Sequence, residues 1–149
     1  MNKVYFVLLM IISGWMFGVQ SSINGALGKR IGVFESSFFS FLLGTVVLLF
    51  VVIFFGKGNF WTFTEVPKWQ LIGGLLGVFI VTSTILAVPN IGVASAVFAI
   101  MLGQIMISIV IDHFGLFNVP VIPFDLLRLT GVVLMIAGLF LIFKGNLSS

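Results

Sequence analysis

The sequence predicts an all-α integral membrane protein with five transmembrane helices. Of its 149 residues, 60% are hydrophobic and only 7% are charged, whereas a soluble domain is about 25% charged. The mean hydropathy is +1.33, and a soluble domain of this length could not bury so much apolar surface. The apolar runs are continuous rather than alternating, which favours helices over a transmembrane β-barrel.

Five apolar stretches have the length of about 20 residues that a membrane helix needs. They cover residues 4–23, 34–55, 71–88, 94–111 and 127–143. The other residues suffice only for short loops and tails, so we expect a single five-helix domain over residues 1–149. The first stretch follows Lys3, as in a signal peptide, but no small-residue cleavage site closes it and four more spans follow. We therefore interpret it as a retained first helix.

Residues that disfavour helix, or that suit the membrane surface, separate these stretches. The expected breaks are, in chain order, Asn24-Gly25 with Gly28-Lys29-Arg30, then Gly56-Lys57-Gly58-Asn59 with Trp61 and Trp69, then the tight turn Pro89-Asn90-Ile91-Gly92, then Asp112-His113 with Pro120, Pro123 and Asp125, and last Lys144-Gly145-Asn146. The tryptophans of the second break suit the headgroup layer of the membrane.

The Lys and Arg residues are almost evenly divided between the two sides of the membrane. Four lie on the side of the N-terminus and three on the other: Lys3, Lys57, Lys68 and Arg128 against Lys29, Arg30 and Lys144. Because Lys/Arg imbalance in short loops sets orientation, the chain either inserts in both orientations or is oriented by one or two charges. These scattered charges are too few for nucleic-acid binding, which needs clustered Lys and Arg.

Small residues recur along every predicted span. Glycines at such spacings let membrane helices approach closely, which predicts a compact bundle. The glycines expected to serve helix packing are Gly14, Gly18, Gly44, Gly73, Gly77, Gly103, Gly131 and Gly138.

Polar residues inside the spans are the candidates for a substrate pathway. On helix one they are Gln20 and Asn24, and on one face of helix four they are Gln104, Ser108 and Asp112. Polar groups at membrane depth usually face the bundle interior or a wet cavity, although hydrogen bonding between helices is an alternative role. Asp112 is expected near Arg128 on the same membrane face, where the two form an ion pair or gate, or Asp112 couples protons.

The residues that enzymes and metal sites require do not form a recognisable pattern. The sequence contains no phosphate-binding loop, metal-ligand spacing or nucleophile constellation, and it has no Cys. We therefore expect no enzyme activity, no metal site and no cofactor.

The order of these motifs resembles the small five-helix YdcZ-like family of the drug/metabolite transporter superfamily. The resemblance covers nearly the whole chain, and the helix-four stretch is its most specific part. The matching motifs are Gly14, Gln20-x-x-x-Asn24, Gly44-Thr45, Trp69-x-x-x-Gly73-Gly74-x-x-Gly77, Pro89-Asn90-Ile91-Gly92, Gly103-Gln104-x-x-x-Ser108-x-x-x-Asp112-His113-Phe114-Gly115 and Arg128-x-x-Gly131. Ser40 departs from the pattern, since Asn is expected there, and this weakens a polar role at that position.

The resemblance implies a multi-pass transporter of the bacterial cytoplasmic (inner) membrane. Superfamily members typically have ten helices arranged as two inverted repeats, so a five-helix chain resembles one half. An antiparallel homodimer, or a heterodimer with a second five-helix chain, would rebuild the transporter around a small metabolite or amphipathic substrate by alternating access. The alternatives are a non-transporting subunit or scaffold that assists a partner, a passive pore and, more remotely, an enzyme.

Overall fold

Five long helices dominate the chain. The computed structural model describes residues 3–147, and every regular element in that range is helical. The long helices are α1 (Lys3–Ile31), α2 (Val33–Phe55), α3 (Gly73–Ile91), α4 (Val93–Phe114) and α5 (Leu126–Leu147), with short 3-10 helices at Phe60–Thr64, Lys68–Ile72 and Leu116–Asn118. Five helical segments are long and apolar enough to cross a membrane, which confirms the predicted fold class.

The first helix is longer than the predicted span, which ended at residue 23. It continues through Asn24, Gly25 and Gly28 to Ile31, because these residues are buried where α1 meets α2 and α3. Glycine is tolerated inside a membrane helix where close packing compensates for its low helix propensity. Lys29 and Arg30 occupy the last turn of α1, where cations interact favourably with the helix dipole.

Single glycines replace the two loops expected after helices one and three. Gly32 (φ 106°, ψ 154°) follows α1, and Gly92 (φ 80°, ψ 159°) follows α3. Few residues other than glycine adopt these torsions. Pro89 lies inside the last turns of α3, so the predicted turn at residues 89–92 is reduced to its final residue. Both glycines stand between Ile and Val, and both carbonyls accept the first hydrogen bond of the next helix.

The connection from α4 to α5 is built by specific end contacts. Gly115 ends α4 in the left-handed conformation (φ 61°), and its N–H donates to the carbonyl of Ile111. The Asp125 carboxylate accepts a hydrogen bond from the N–H of Arg128 at 2.8 Å, which is the usual role of an N-cap residue. The prediction that Asp112-His113 stands at the end of helix four agrees with these bounds.

The chain divides into two compact units, Met1–Pro89 and Asn90–Ser149. In the first unit, the buried residues are mostly small and polar, and they cluster around the C-terminal half of α1 and the first turns of α2. All residues of the ranges 4–16 and 42–55 are exposed, and most of them are large and apolar. Such an inverted distribution, with an apolar surface around a small polar interior, suits a protein surrounded by lipid. In the second unit, α4 packs against α5.

Candidate functional site

Asn24 connects α1 to α2 at the centre of the first unit. Its backbone carbonyl accepts a hydrogen bond from Ser36 Oγ at 2.9 Å, and its side-chain Oδ1 accepts one from Ser40 Oγ at 2.7 Å. Asn24 is only 7% exposed. Ser40 therefore keeps a polar role although the family pattern favours Asn there. These bonds favour the interhelical role of Asn24 over the lining of a wide channel.

A small cavity lies beside Asn24, between α1 and α3. Its volume is about 10 Å³, close to the minimum that holds one water molecule. Gln20, Ser21, Asn24 and Thr84 supply polar groups to its wall. The structure thus brings the two predicted helix-one residues, Gln20 and Asn24, to one cavity, but that cavity is too small for a metabolite. Gln20 itself is an exposed residue.

Two glycines near the end of α1, at positions where a break of helix one is predicted, lie close to α3. A Cβ added to Gly25 would lie 3.0 Å from Cγ1 of Val88, and one added to Gly28 would overlap Cγ2 of Ile85. The sequence predicts a helix break at Gly28, but Gly28 lies within α1. The signal that could have identified it is its position one to two turns after Ser21 and Asn24, which extends the small-residue face of α1.

The predicted packing glycines fall into two groups. A Cβ on Gly77 would lie 3.6 Å from Phe41, and one on Gly138 would lie 3.3 Å from Phe98, so these two pack inside the chain. At the other six, an added Cβ would have no neighbour within 4 Å among the described residues; they are Gly14, Gly18, Gly44, Gly73, Gly103 and Gly131. The role of these six glycines in packing therefore stays a prediction, and it requires contact with a second chain.

The polar face of α4 is exposed except at its end. Gln104 and Ser108 are exposed, while Asp112 is partly buried. Asp112 Oδ2 lies 3.2 Å from Arg128 Nη1, with the two side chains 32% and 27% exposed. This geometry is that of an ion pair between the end of α4 and the start of α5. Ion pairing with Arg128 is one of the two roles predicted for Asp112, and proton coupling is the other.

The candidate residues are thus placed on two separate units. Gln20 and Asn24 belong to the unit Met1–Pro89, and Gln104, Ser108, Asp112 and Arg128 belong to the unit Asn90–Ser149. Among the described residues, no group of three or more His, Cys, Asp or Glu side chains could hold a metal ion. The chemistry that these candidate residues offer is amide and hydroxyl hydrogen bonding, together with the ion pair between Asp112 and Arg128.

Comparison with known proteins identifies one similarity. A family model described as "Putative inner membrane exporter, YdcZ" matches residues 5–141, which is nearly the whole chain. Comparisons with curated proteins and with solved structures gave no match.

Proposed function

Because the chain belongs to the YdcZ family, we propose that it is one half of a secondary transporter in the bacterial inner membrane. Two copies in opposite orientation, or one copy with a second five-helix chain, would form the complete transporter. It would move a small metabolite or amphipathic compound by alternating access, in which one half rocks against the other. The family description supports transport out of the cell as the direction.

The observation that carries this proposal is the exposure of Gln104 in the middle of α4. A primary amide facing hydrocarbon leaves its hydrogen-bonding groups unsatisfied, which costs free energy. Ser108 is exposed one turn further along the same face. A second chain that covered this face would satisfy both residues or would enclose them with a substrate. Gln20 presents a similarly exposed amide on α1.

The near balance of Lys and Arg supports the antiparallel arrangement. Four positive residues against three provide little bias for a single orientation, so copies of both orientations would be available to pair. In such a dimer Gln20, Asn24, Gln104, Ser108 and Asp112 would line the pathway. Asn24 would act mainly by holding α1 against α2, as its hydrogen bonds indicate.

The absence of Cys from the sequence makes the dimer testable by disulfide cross-linking. In an antiparallel dimer only residues near the midplane meet their own counterparts, because residues near one surface lie on opposite sides in the two copies. We therefore expect Gln104→Cys to cross-link to itself in membranes and Phe54→Cys, near the end of α2, not to do so. Cross-linking of Phe54→Cys alone would indicate a parallel pair and would overturn the antiparallel arrangement.

Transport itself is tested by the metabolites that cells release. We expect at least one metabolite to accumulate in the medium of cells that express the wild-type chain, and to fall several-fold with Gln104→Leu at equal expression. The control is Ile107→Leu, an exposed apolar position on α4, which should behave as wild type. A medium unchanged by wild-type expression would favour the scaffold alternative over a transporter.

A further inference from the structure

A groove between α4 and α5 has the size and the lining of a ligand site. Its volume is about 430 Å³, which falls within the range of about 300–1,000 Å³ typical of small-molecule pockets. Its walls are apolar apart from His113, and they include Met106, Val110, Phe114, Phe124 and Leu129. The groove lies wholly within the unit Asn90–Ser149.

This groove is separate from the polar face of α4. At about 100° per residue along a helix, Met106, Val110 and His113 lie on one side of α4. Gln104 and Ser108 lie on the opposite side. A molecule in the groove would therefore leave the face proposed for the second chain uncovered.

The ring of His113 is oriented by the loop between α4 and α5. Its Nδ1 accepts a hydrogen bond from the backbone N–H of Phe124 at 3.1 Å. Because Nδ1 accepts this hydrogen bond, Nε2 is the ring nitrogen that can donate one. Nε2 has no hydrogen-bond partner among the residues that the structure describes. One N–H donor is thus left on a residue of the groove wall.

The connection from α4 to α5 beside the groove is fixed by further contacts. The N–H of Ile122 donates to the carbonyl of Asp112 at 2.9 Å, and so holds the loop against the end of α4. The Asp112 carboxylate pairs with Arg128, and the Asp125 carboxylate caps α5. Because these nearby charges already have partners, the groove offers no charged group to recognise an ion.

We propose that the groove binds an uncharged, lipophilic, aromatic molecule with one hydrogen-bond acceptor, which accepts a hydrogen bond from His113 Nε2–H. Met and Phe side chains adapt to the shape of aromatic ligands and contact them favourably. The groove is open toward the surroundings of the helix pair, so such a molecule enters from the lipid. The inference that such molecules are substrates of an exporter rests on the proposed function. The inference that the groove binds them does not.

The test uses benzophenone, which is uncharged and aromatic, has one carbonyl acceptor and inserts into C–H bonds on irradiation. Wild-type protein in lipid nanodiscs is irradiated at increasing benzophenone concentrations, and the labelled residues are identified by mass spectrometry. We expect saturable labelling of Met106 and its neighbours in the groove. The anion 4-benzoylbenzoate should label them at least ten-fold less at equal concentration in the membrane.

Two variants on α4 locate the site. Val110→Trp fills the groove and should lower the saturable labelling at least ten-fold. Ile107→Trp introduces the same bulk at an exposed position outside the groove lining, and should leave labelling unchanged. Equal loss in both variants would overturn the assignment.

A third variant tests the donor. His113→Asn keeps an acceptor near the position of Nδ1 for the Phe124 N–H and removes Nε2. It should weaken competition by fluorenone about five-fold, the effect of one neutral hydrogen bond, and leave competition by fluorene, which has no acceptor, unchanged. Equal effects on both competitors would refute the role of His113.

Two results would reject the groove as a small-molecule site. Labelling that rises linearly with concentration and never saturates would mean that bilayer acyl chains occupy it. Labelling that disappears when the Gln104→Cys dimer is cross-linked would mean that the second copy covers it. Either result leaves the metabolite-release assay unaffected, so failure of the site and failure of the transport proposal are distinguishable.

Discussion

Substituting Gly28 by Ala should test how closely α1 and α3 must approach. A Cβ at this position would overlap Cγ2 of Ile85 and come within 3.8 Å of Ser36 Cβ. Ile85 is only 1% exposed, and the methyl group concerned branches directly from its Cβ. It cannot swing aside as the end of a flexible chain would, so the backbone of α1 or α3 has to shift.

The magnitude follows from two opposing effects. Overpacking a close-packed site costs about 1–3 kcal/mol, whereas Ala in place of Gly inside a helix contributes about 1 kcal/mol of stability. Gly28→Ala should therefore lower the free energy of unfolding by up to about 2 kcal/mol. With both variants measured as monomers, Gly18→Ala is the matched control on the same helix, because its Cβ would meet nothing within 4 Å among the described residues. It should be neutral or stabilising by about 1 kcal/mol.

The measurement is reversible unfolding in mixtures of dodecyl maltoside and SDS, which gives the free energy of unfolding of each variant. A rescue experiment adds a second test of this contact. Leu lacks the methyl branch on Cβ that Ile85 has. Combining Gly28→Ala with Ile85→Leu should recover part of the loss, as expected for two residues in direct contact. If Gly28→Ala were as stable as Gly18→Ala, the tight contact between α1 and α3 would be refuted.

Three further predictions concern the ion pair, a linker and the orientation of the chain. Asp112→Asn and Arg128→Gln should show a coupling of about 0.5–1 kcal/mol in a double-mutant cycle, as a partly exposed pair does; additive losses would contradict the pair. Gly32→Ala should lower the free energy of unfolding by about 1–3 kcal/mol, because Ala rarely adopts the backbone torsions of Gly32. Gly103→Ala, which lies in regular helix, should not lower it. The same SDS titration measures both variants. Reporters fused after Ser149 should appear on both sides of the membrane if the Lys/Arg balance allows dual insertion, and a single orientation without a partner chain would exclude it.

The number and type of helices could be predicted from the sequence because hydropathy over about 20 residues is a strong signal. The ends of α1, α3 and α5 could not, and the break predicted at Lys144-Gly145-Asn146 is wrong because α5 continues to Leu147. Asn24, Gly25 and Pro89 all disfavour a helix locally, yet they continue one here. Burial of Asn24 and Gly25 against neighbouring helices outweighs that preference. The packing of one helix against another cannot be deduced from a local sequence pattern.

The candidate site was predictable where the chain itself brings residues together. Asp112 and Arg128 stand on either side of one short connection, so their pairing followed from the helix bounds. The bond from Ser40 to Asn24 was not predictable, because it depends on how two helices are rotated against each other. The groove beside His113 gave no sequence signal either, since apolar residues that line a groove resemble those that face lipid.

Buried residues occur at the same spacing around the two glycine linkers. Asn24 and Thr84 stand at the same distance before Gly32 and Gly92, and Ser36 and Ala96 stand at the same distance after them. All four are buried. The one-residue linker Gly32 leaves no slack between α1 and α2, so the turns beside it hold small or hydrogen-bonded side chains such as Ser36 and Asn24. The polar contacts between α1 and α2 therefore accompany the Gly32 linker, and the exposed amides of Gln20 and Gln104 remain residues that we propose for the substrate pathway.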